Sequence, residues 1–135
     1  MVFHYQRLIH VYETDLMGIV HHSNYLRFCE EARVAWFKSR KLINSSAESV
    51  FGFTVYETQV RHLAPSRYGD ELDISLQVKI VKAKLIFQYK LKVKEATVAL
   101  VKSVHCRLDR DFKVQRFDSN LIKIMEKELW TETWL

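Results

Sequence analysis

The chain has 135 residues, of which 48% are hydrophobic and 27% are charged, and this composition is ordinary for a single soluble globular domain. No apolar run approaches the roughly 20 residues of a membrane-spanning helix, and the N-terminus is unlike a signal peptide, so a cytoplasmic protein is expected. The net charge of +5 indicates a polyanionic partner, which can be nucleic acid, an anionic membrane or a phosphorylated cofactor.

Neither the two cysteines nor the six histidines form the pattern of a disulfide-bonded or metal-bound fold. Cys29 lies on the apolar face of a predicted helix and Cys106 on a predicted strand, so both are expected to be small buried residues. No two histidines have the i, i+4 spacing of helical metal ligands. We therefore predict no metal site and no resident cofactor.

A strand is predicted first, and a helix follows it. Residues Val2 to Tyr12 are rich in aromatic and β-branched side chains, which are typical of strands. A helix is then expected to begin near His22 or Ser23, with Ser23 or Asn24 as its N-cap. Its apolar residues recur at the offsets 0, 3, 4, 7, 10 and 11 of one helical face, namely Tyr25, Phe28, Cys29, Ala32, Ala35 and Trp36.

Four strand-like segments follow the polar, loop-like residues 44–49. The first, Phe53 to Leu63, is the least regular. Residues 72–80 and 85–93 alternate apolar with polar side chains, and the polar positions of the second run, which include Gln88, are expected to face solvent. Because only residues 81–84 separate these two runs, they are predicted to form an antiparallel hairpin.

The last strand-like segment spans residues 97–108, and Asp118 or Ser119 is predicted to cap a short C-terminal helix. The side chains of that helix expected to point inward are Leu121, Ile122, Met125 and Leu129. One long helix with a mainly antiparallel sheet of five or six strands makes one α+β domain over residues 1–135. Because the sheet can cover the helix on one side only, pairing of two copies is expected.

Asp15 is the strongest catalytic candidate, because it lies in an apolar loop just before the long helix. An aspartate in such a position is most often a cap or a turn former, but Ser23 offers a separate cap here. The apolar residues 16–20 are expected to desolvate the carboxylate, and Gly18 permits an unusual backbone angle or the close approach of a ligand. A carboxylate that faces free N–H groups at a helix start can attack, or activate water, beside an oxyanion site. The composition and position of this loop therefore predict that the protein hydrolyses an activated acyl group.

The residues near the helix start each have two interpretations. His22 can act as a base through its side chain or as an oxyanion donor through its backbone N–H, and the backbone role is favoured. His21 can simply face solvent. Glu30 is interpreted as a surface acid unless it lines a pocket wall. Cys29 is not expected to be a nucleophile, because it lies two turns into the helix.

The segment from Tyr12 to Arg33 resembles the hotdog-fold acyl-CoA thioesterases, in particular the 4-hydroxybenzoyl-CoA thioesterase-like branch that includes the Tol-Pal-associated bacterial enzymes. The similarity rests on Tyr12-Glu13-Thr14-Asp15, Gly18-Ile19-Val20, His22-Ser23-Asn24-Tyr25 and Glu30-Glu31-Ala32-Arg33. Pro65-Ser66 and Gly69-Asp70 form a second, weaker match. The resemblance implies a curved sheet wrapped around the long helix, and a homodimer or homotetramer with its site at a subunit interface.

The resemblance also implies roles for individual residues. Asp15 would be the catalytic carboxylate, as nucleophile or as general base on water, and the backbone N–H of His22 would hold the thioester oxygen. Lys82 lies at a position where members of the family have basic residues that bind the nucleotide phosphates of coenzyme A. Coenzyme A is then part of the substrate and not a separate cofactor. The expected substrate-binding residues are Gly18, Val20, His21, Tyr25, Glu30 and Lys82. A phosphorylated substrate would explain the basic charge without nucleic acid.

Two other functions remain open. A hotdog hydratase would need an Asp–His dyad of tighter spacing and a proline before the histidine, and the sequence has neither. A non-catalytic module that binds acyl carrier protein, CoA or nucleic acid would fit the charge, although the lysines alternate as they do on a sheet surface. For the thioesterase, both the acyl group and the choice between CoA and acyl carrier protein stay open.

Overall fold

The computed structural model describes residues 2–42 and 53–135, so the predicted loop at 44–49 lies outside the described residues. The elements in chain order are β1 (Phe3–Leu8), a 3-10 turn (Val11–Glu13), α1 (Ser23–Ser39), β2 (Phe53–His62), β3 (Glu71–Val81), β4 (Lys84–Val93), β5 (Ala96–Leu108), β6 (Val114–Gln115) and α2 (Ser119–Met125). Within the described ranges, neither helix has the length and apolar character needed to cross a bilayer.

The strands form one antiparallel sheet in the order β1-β3-β4-β5-β2, with β6 paired to β5. β3 and β4 pair along their length, up to Val81 opposite Lys84, which leaves Lys82 and Ala83 as a two-residue turn. Lys82 has a φ of 57°, as the favoured hairpin turns require. The predicted hairpin is confirmed.

The helix α1 packs on the apolar face of this sheet. Alternation places the even-numbered residues of β3 inward, and Leu72, Ile74, Leu76 and Val78 are each at most 1% exposed. The helix contributes Phe28, Ala32 and Trp36 to the same core, and the Trp36 ring meets the Phe87 ring edge-on with 5.4 Å between their centroids. The α+β class is therefore confirmed, and the predicted helical stripe is confirmed except at Ala35, which is only partly buried.

The opposite face of the sheet was expected to be exposed to solvent, but part of it is covered. Gln88 is fully buried, because the C-terminal residues 131–134 lie across it and across Gln77. Gln88 Nε2 donates to the main-chain oxygen of Glu132 (2.6 Å), and the Trp134 N–H donates to Gln88 Oε1 (2.8 Å). The alternation within a strand gives no signal for a segment that returns from the far end of the chain.

The first strand is shorter than its composition predicts. It ends at Leu8 rather than at Tyr12, because Val11–Glu13 forms a 3-10 turn that leads into the Asp15 loop. The two-residue strand β6 is absent from the sequence prediction. Cys29 is buried as expected, whereas the prediction for Cys106 is wrong, since that residue is only partly buried.

The C-terminal helix begins where the sequence predicts and ends earlier. The Asp118 carboxylate accepts a hydrogen bond from the Leu121 N–H (2.8 Å), which is the expected N-cap. Leu121 is buried, but Ile122 is 46% exposed, and Leu129 is exposed beyond the helix end at Met125. The predicted inward orientation is therefore wrong for Ile122 and Leu129.

Candidate active site

A tight turn between β1 and α1 presents the Asp15 side chain. The Asp15 N–H donates to the Ile19 carbonyl (2.8 Å), and the Gly18 N–H donates to the Asp15 carbonyl (3.0 Å). Gly18 has a φ of +77°, and a Cβ added there would meet nothing within 4 Å. Glycine therefore suits this position because of the backbone angle of the turn, as the sequence predicts, and not because a side chain would lack space.

The Asp15 carboxylate is half-buried and forms no ion pair within residues 2–42 and 53–135. Its Oδ1 accepts a hydrogen bond from the Met17 N–H (2.8 Å). Ile19 and Val20 line a cavity together with the carboxylate. Leu16 and Met17, in contrast, are 107% and 82% exposed, so the expectation that they desolvate Asp15 is wrong.

The start of α1 lacks the side-chain cap predicted for it. The Ser23 N–H donates to His21 Nδ1 (3.2 Å), so the His21 ring takes the place of a cap. Asn24 instead donates from Nδ2 to the main-chain oxygen of Glu13 (2.8 Å). The N–H of His22 has no acceptor among the described residues, and it lies at the positive end of the helix dipole. The helix start thus has one unpaired backbone donor, at the residue predicted to supply it.

A cavity of about 420 Å³ joins the turn, the helix start and the end of β2. Its lining consists of Asp15, Ile19, Val20, His22, Tyr25, His62, Ala64 and Pro65. Four predicted site residues therefore meet in one place, namely Asp15, Val20, His22 and Tyr25. Pro65, from the weaker motif, lies in the same wall. Residues that carry a carboxylate, an unpaired helix-start N–H and apolar side chains therefore line one cavity, and these are the parts that acyl hydrolysis requires.

Buried hydrogen bonds from Ser66 fix the floor of this cavity. The hydroxyl oxygens of Tyr25 and Ser66 are 2.7 Å apart, and the Val20 N–H donates to the Ser66 carbonyl (2.8 Å). Burial raises the pKa of Tyr25, so the phenol stays neutral at pH 7. Ser66 therefore connects the helix to the turn, which gives the Pro65-Ser66 motif a structural role.

His62 lines the cavity and is absent from the residues predicted for it. Its ring lies 6.5 Å from the His22 ring and 5.4 Å from the Tyr25 ring, between centroids, and meets both edge-to-face. The strand register shifts between Val55 and Glu57. Such an irregularity disrupts the alternation that would assign His62 to a face of β2, so the sequence offers no reliable signal for it.

Four predicted substrate-binding residues do not line this cavity. Gly18 and His21 are its exposed neighbours and act on the turn and the helix start. Glu30 lies further along α1, in a second cavity. Lys82 lies at the tip of the β3–β4 hairpin and lines neither cavity. Across the part of the chain that the structure describes, no group of three His, Cys, Asp or Glu side chains is placed to hold a metal ion.

A buried ion pair attaches the Asp15 turn to strand β1. The side chains of Arg7 and Glu13 are each 9% exposed, and Arg7 Nη2 donates to both carboxylate oxygens of Glu13 (2.6 and 2.8 Å). Arg7 Nη1 also donates to Glu31 (2.6 Å). The main-chain oxygen of Glu13 accepts the His21 N–H (2.9 Å). Because Glu13 is two residues before Asp15 and bonds the residue after the turn, the ion pair fixes both ends of the turn.

The second cavity, of about 280 Å³, lies between α1 and the strands β2 and β5. Its lining consists of Leu26, Arg27, Cys29, Glu30, Arg33, Val55, Thr58, Val101 and Ser103. Burial raises the pKa of the Cys29 thiol far above its usual range, which agrees with the prediction that Cys29 is not a nucleophile. Of the two arginines in this lining, Arg33 is half-buried and Arg27 is exposed.

Behind Arg33, three buried side chains form a chain of hydrogen bonds. Arg33 Nη1 donates to the Tyr89 hydroxyl (3.0 Å), which lies 2.8 Å from the Ser103 hydroxyl, and His105 Nε2 lies 2.9 Å from the same Ser103 oxygen. Burial raises the pKa of Tyr89 to about 12. Burial and, to a lesser extent, the charge of Arg33 lower the pKa of His105 to about 3. Both rings are therefore neutral at pH 7.

Comparison with known protein families identifies the family of the chain. The model of the thioesterase-like superfamily matches residues 9–125, a span that contains the lining of both cavities. The chain belongs to this superfamily. A 1,4-dihydroxy-2-naphthoyl-CoA hydrolase of Nostoc punctiforme is 30% identical over 115 residues, which are 81% of this chain and 76% of that protein. The predicted class of enzyme, a thioester hydrolase, is confirmed.

Two further relatives extend the comparison. The acyl-CoA thioesterase YbgC of Helicobacter pylori is 33% identical over 67 residues, which are 50% of this chain and 49% of that protein, so the match spans about half of that relative. The crystal structure of a 1,4-dihydroxy-2-naphthoyl-CoA thioesterase from Synechocystis has a TM-score of 0.84 at 21% identity, over 94% of this chain and 97% of that one. This likeness confirms the hotdog fold, here with a helix of 17 residues.

Proposed function

We propose that this superfamily member hydrolyses acyl-CoA thioesters, with Asp15 as the catalytic carboxylate and the backbone N–H of His22 as the oxyanion donor. The main support is that a carboxylate without a cationic partner and a helix-start N–H without an acceptor belong to residues that line one cavity. The named activities of the Nostoc and Helicobacter relatives, both on CoA thioesters, support the same substrate class.

In the general-base route, the Asp15 carboxylate takes a proton from water while the water oxygen attacks the thioester carbonyl carbon. The carbonyl oxygen becomes negative and accepts a hydrogen bond from the His22 N–H. The C–S bond then breaks, the CoA thiolate takes the proton from the Asp15 carboxyl group, and the free acid remains. In the nucleophilic route, Asp15 displaces CoA to form a mixed anhydride, which water hydrolyses. A single turnover in ¹⁸O-water that labels the Asp15 carboxylate would identify the nucleophilic route.

We further propose that two copies of the chain assemble as a homodimer, or that two such dimers form a homotetramer. β2 lies at an edge of the sheet, and its Val55 and Tyr56 are 50% and 61% exposed. Pairing of two β2 edges would cover these side chains and satisfy the edge hydrogen bonds. Sedimentation of the intact protein tests this assembly, and Val55→Lys with Tyr56→Lys should shift it toward the monomer.

The carrier of the acyl group is proposed to be CoA, with Lys82 on its phosphates. Lys82 is exposed at a hairpin tip and lies outside the Asp15 cavity, so the contact requires CoA to extend along the surface or across a subunit interface. Lys82→Ala should raise KM several-fold and leave kcat unchanged, because it removes a contact made equally in the ground state and the transition state. The same acyl group presented on acyl carrier protein would identify the preferred carrier.

The central test is the hydrolysis of a panel of acyl-CoAs, followed through the released thiol. Asp15→Asn keeps the shape of the side chain and removes its charge, and we expect kcat to fall about 10²- to 10⁴-fold. Asp111→Asn, which removes a charge from an exposed residue outside both cavities, should keep the wild-type rate. A rate for Asp15→Asn within a few-fold of the wild type would disprove the proposed role of Asp15.

A further inference from the structure

Residues of α1 and β2 line both cavities, and we infer that the two cavities lie along one groove between these elements. The helix contributes one stripe of residues, at the offsets 0, 4, 7 and 11, namely His22, Leu26, Cys29 and Arg33. On β2, His62 lines the Asp15 cavity and Thr58 lines the second one. The eleven steps from His22 to Arg33 advance about 16 Å along the helix, and the four steps from Thr58 to His62 advance about 13 Å along the strand. An acyl group whose thioester lies at His22 would therefore extend toward Arg33.

Arg33 is a half-buried cation that lacks a carboxylate partner. Its guanidinium donates to the Tyr89 hydroxyl (3.0 Å), and none of the ion pairs within residues 2–42 and 53–135 includes it. Arg7, the other buried arginine discussed above, meets two carboxylates. Removing a charge from water without a counter-charge is costly. A guanidinium held in this state at a cavity wall is typical of a site that binds an anion.

The rest of the cavity wall does not neutralise Arg33. The apolar part of the lining is Leu26, Val55 and Val101. Arg27 and Glu30 are both exposed and have opposite charges, so the cavity keeps an excess positive charge at Arg33. The tyrosine and the histidine behind the guanidinium are neutral at pH 7. A ligand that enters this cavity therefore meets apolar side chains from α1, β2 and β5, and a cation without a carboxylate partner.

We propose that this cavity binds the far end of the acyl group, and that Arg33 selects acyl groups ending in a carboxylate, such as the mono-CoA thioesters of dicarboxylic acids. The inference rests on the proposed function and names its substrate class. The guanidinium would hold the terminal carboxylate through two parallel hydrogen bonds. A volume of about 280 Å³ lies just below the range of about 300–1,000 Å³ for ligand pockets, which suits an acyl chain of moderate length.

The experiment compares the mono-CoA thioester of octanedioic acid with octanoyl-CoA, which has the same chain length and no terminal carboxylate. For the wild type we expect kcat/KM to be about tenfold higher with the carboxylated substrate, as a charge-assisted hydrogen bond provides. Arg33→Met should abolish this preference, and Arg33→Lys, which keeps the charge without the planar fork, should give an intermediate ratio. Arg61→Met removes a charge from an exposed residue of β2 outside both cavities, and it should keep the wild-type ratio.

A second variant keeps the proposal testable if Arg33→Met fails to fold. Thr58 lines the same cavity from β2 and is exposed, so Thr58→Glu adds a carboxylate to the lining that Arg33 shares, at little risk to the core. This variant should also lose the preference for the carboxylated substrate. In the Asp15→Asn background, calorimetry with the same two thioesters measures the binding preference without turnover, so a failure of hydrolysis is distinguishable from a failure of selection.

Two results would overturn the proposal. The first is equal kcat/KM values and equal affinities of the two eight-carbon thioesters for the unsubstituted chain and for Asp15→Asn. The second is a change of oligomeric size in Arg33→Met with an unchanged substrate ratio, because that result would assign the guanidinium to a contact between subunits.

Discussion

The two ends of the groove between α1 and β2 are held in different ways. At the Asp15 end, the catalytic candidates are half-buried or exposed, and main-chain hydrogen bonds and the Arg7–Glu13 ion pair below the turn hold them. At the Arg33 end, the side chains behind the guanidinium are buried, burial shifts the pKa values of Tyr89 and His105, and hydrogen bonds link both residues to Ser103. This fold therefore positions the proposed reacting groups through the backbone, and places buried side-chain polarity where acyl groups would be distinguished.

The largest loss of stability is expected from Glu13→Gln, which breaks the ion pair that attaches the Asp15 turn to Arg7. The change leaves Arg7 with Glu31 as its remaining carboxylate, and breaking a buried ion pair costs about 3–5 kcal/mol. We expect the free energy of unfolding to fall by about 3 kcal/mol. We also expect kcat for acyl-CoA hydrolysis to fall at least about tenfold, because a small displacement of a reacting group is costly to the rate. Urea denaturation and thiol release measure the two effects.

The matched control is Glu31→Gln, which removes the other carboxylate of the same arginine. The Glu31 side chain is 41% exposed, so solvent screens its charge, and we expect a loss of at most about 1 kcal/mol with kcat unchanged. Equal losses of stability and rate in the two variants would show that the turn does not depend on the buried pair.

Sequence patterns predict the Asp15 end better than the Arg33 end, and the reason is locality. Asp15, His22 and Tyr25 belong to one segment of the chain, so loop composition and helical spacing are enough to predict that they meet. Arg33, Val55 and Ser103 come from three separate elements. Their meeting depends on the order of strands in the sheet, and alternation along one strand contains no information on that order.

The same distinction applies to the fold. Local alternation correctly located β3, β4 and the turn between them, because each strand buries one face against α1. It failed for Gln88, whose burial depends on a C-terminal segment 44 positions later in the chain, at Glu132. It also failed for the 3-10 turn at Val11–Glu13, where the buried Glu13 carboxylate accepts the His10 N–H (2.8 Å) and overrides the strand propensity.

The Arg33 end predicts an effect of pH on stability. Burial lowers the pKa of His105 from the usual 6.5 to about 3 in the folded protein. Below pH 6.5 the unfolded chain binds a proton that the folded chain does not, so the free energy of unfolding decreases as the pH falls toward 3. Between pH 6.5 and pH 5 this group should remove about 1.5 kcal/mol of stability.

The variant His105→Gln should lose this part of the pH dependence, because its amide has no charge and can still donate to Ser103. Urea denaturation of both proteins at pH 5 and pH 6.5 measures the difference, since the other titrating groups are common to both. His10→Gln replaces an exposed histidine and should keep the wild-type slope. An unchanged slope in His105→Gln would mean that the imidazole is not held neutral behind Arg33.

Gly18→Ala is expected to have a small effect, although Gly18 is the point where the Asp15 turn departs from ordinary backbone geometry. Gly18 has a φ of +77°, and a Cβ would meet nothing within 4 Å, so the methyl group costs only the strain of the left-handed backbone, about 1 kcal/mol. The hydrogen bonds that close the turn do not involve the side chain at this position. The free energy of unfolding should fall by this amount, and kcat should fall less than about threefold.

Stability and kcat measured on the same preparation of Gly18→Ala decide how the turn is held. A small loss of stability with a nearly unchanged kcat would agree with a turn that the Arg7–Glu13 ion pair holds in place. Backbone strain at position 18 would then not displace Asp15. The same small loss of stability with a fall in kcat of more than about tenfold would mean that substrate approaches the backbone at Gly18 closely enough to meet the added methyl group. Glycine at this position would then serve the substrate as well as the turn, and the Asp15 end would also distinguish between acyl groups.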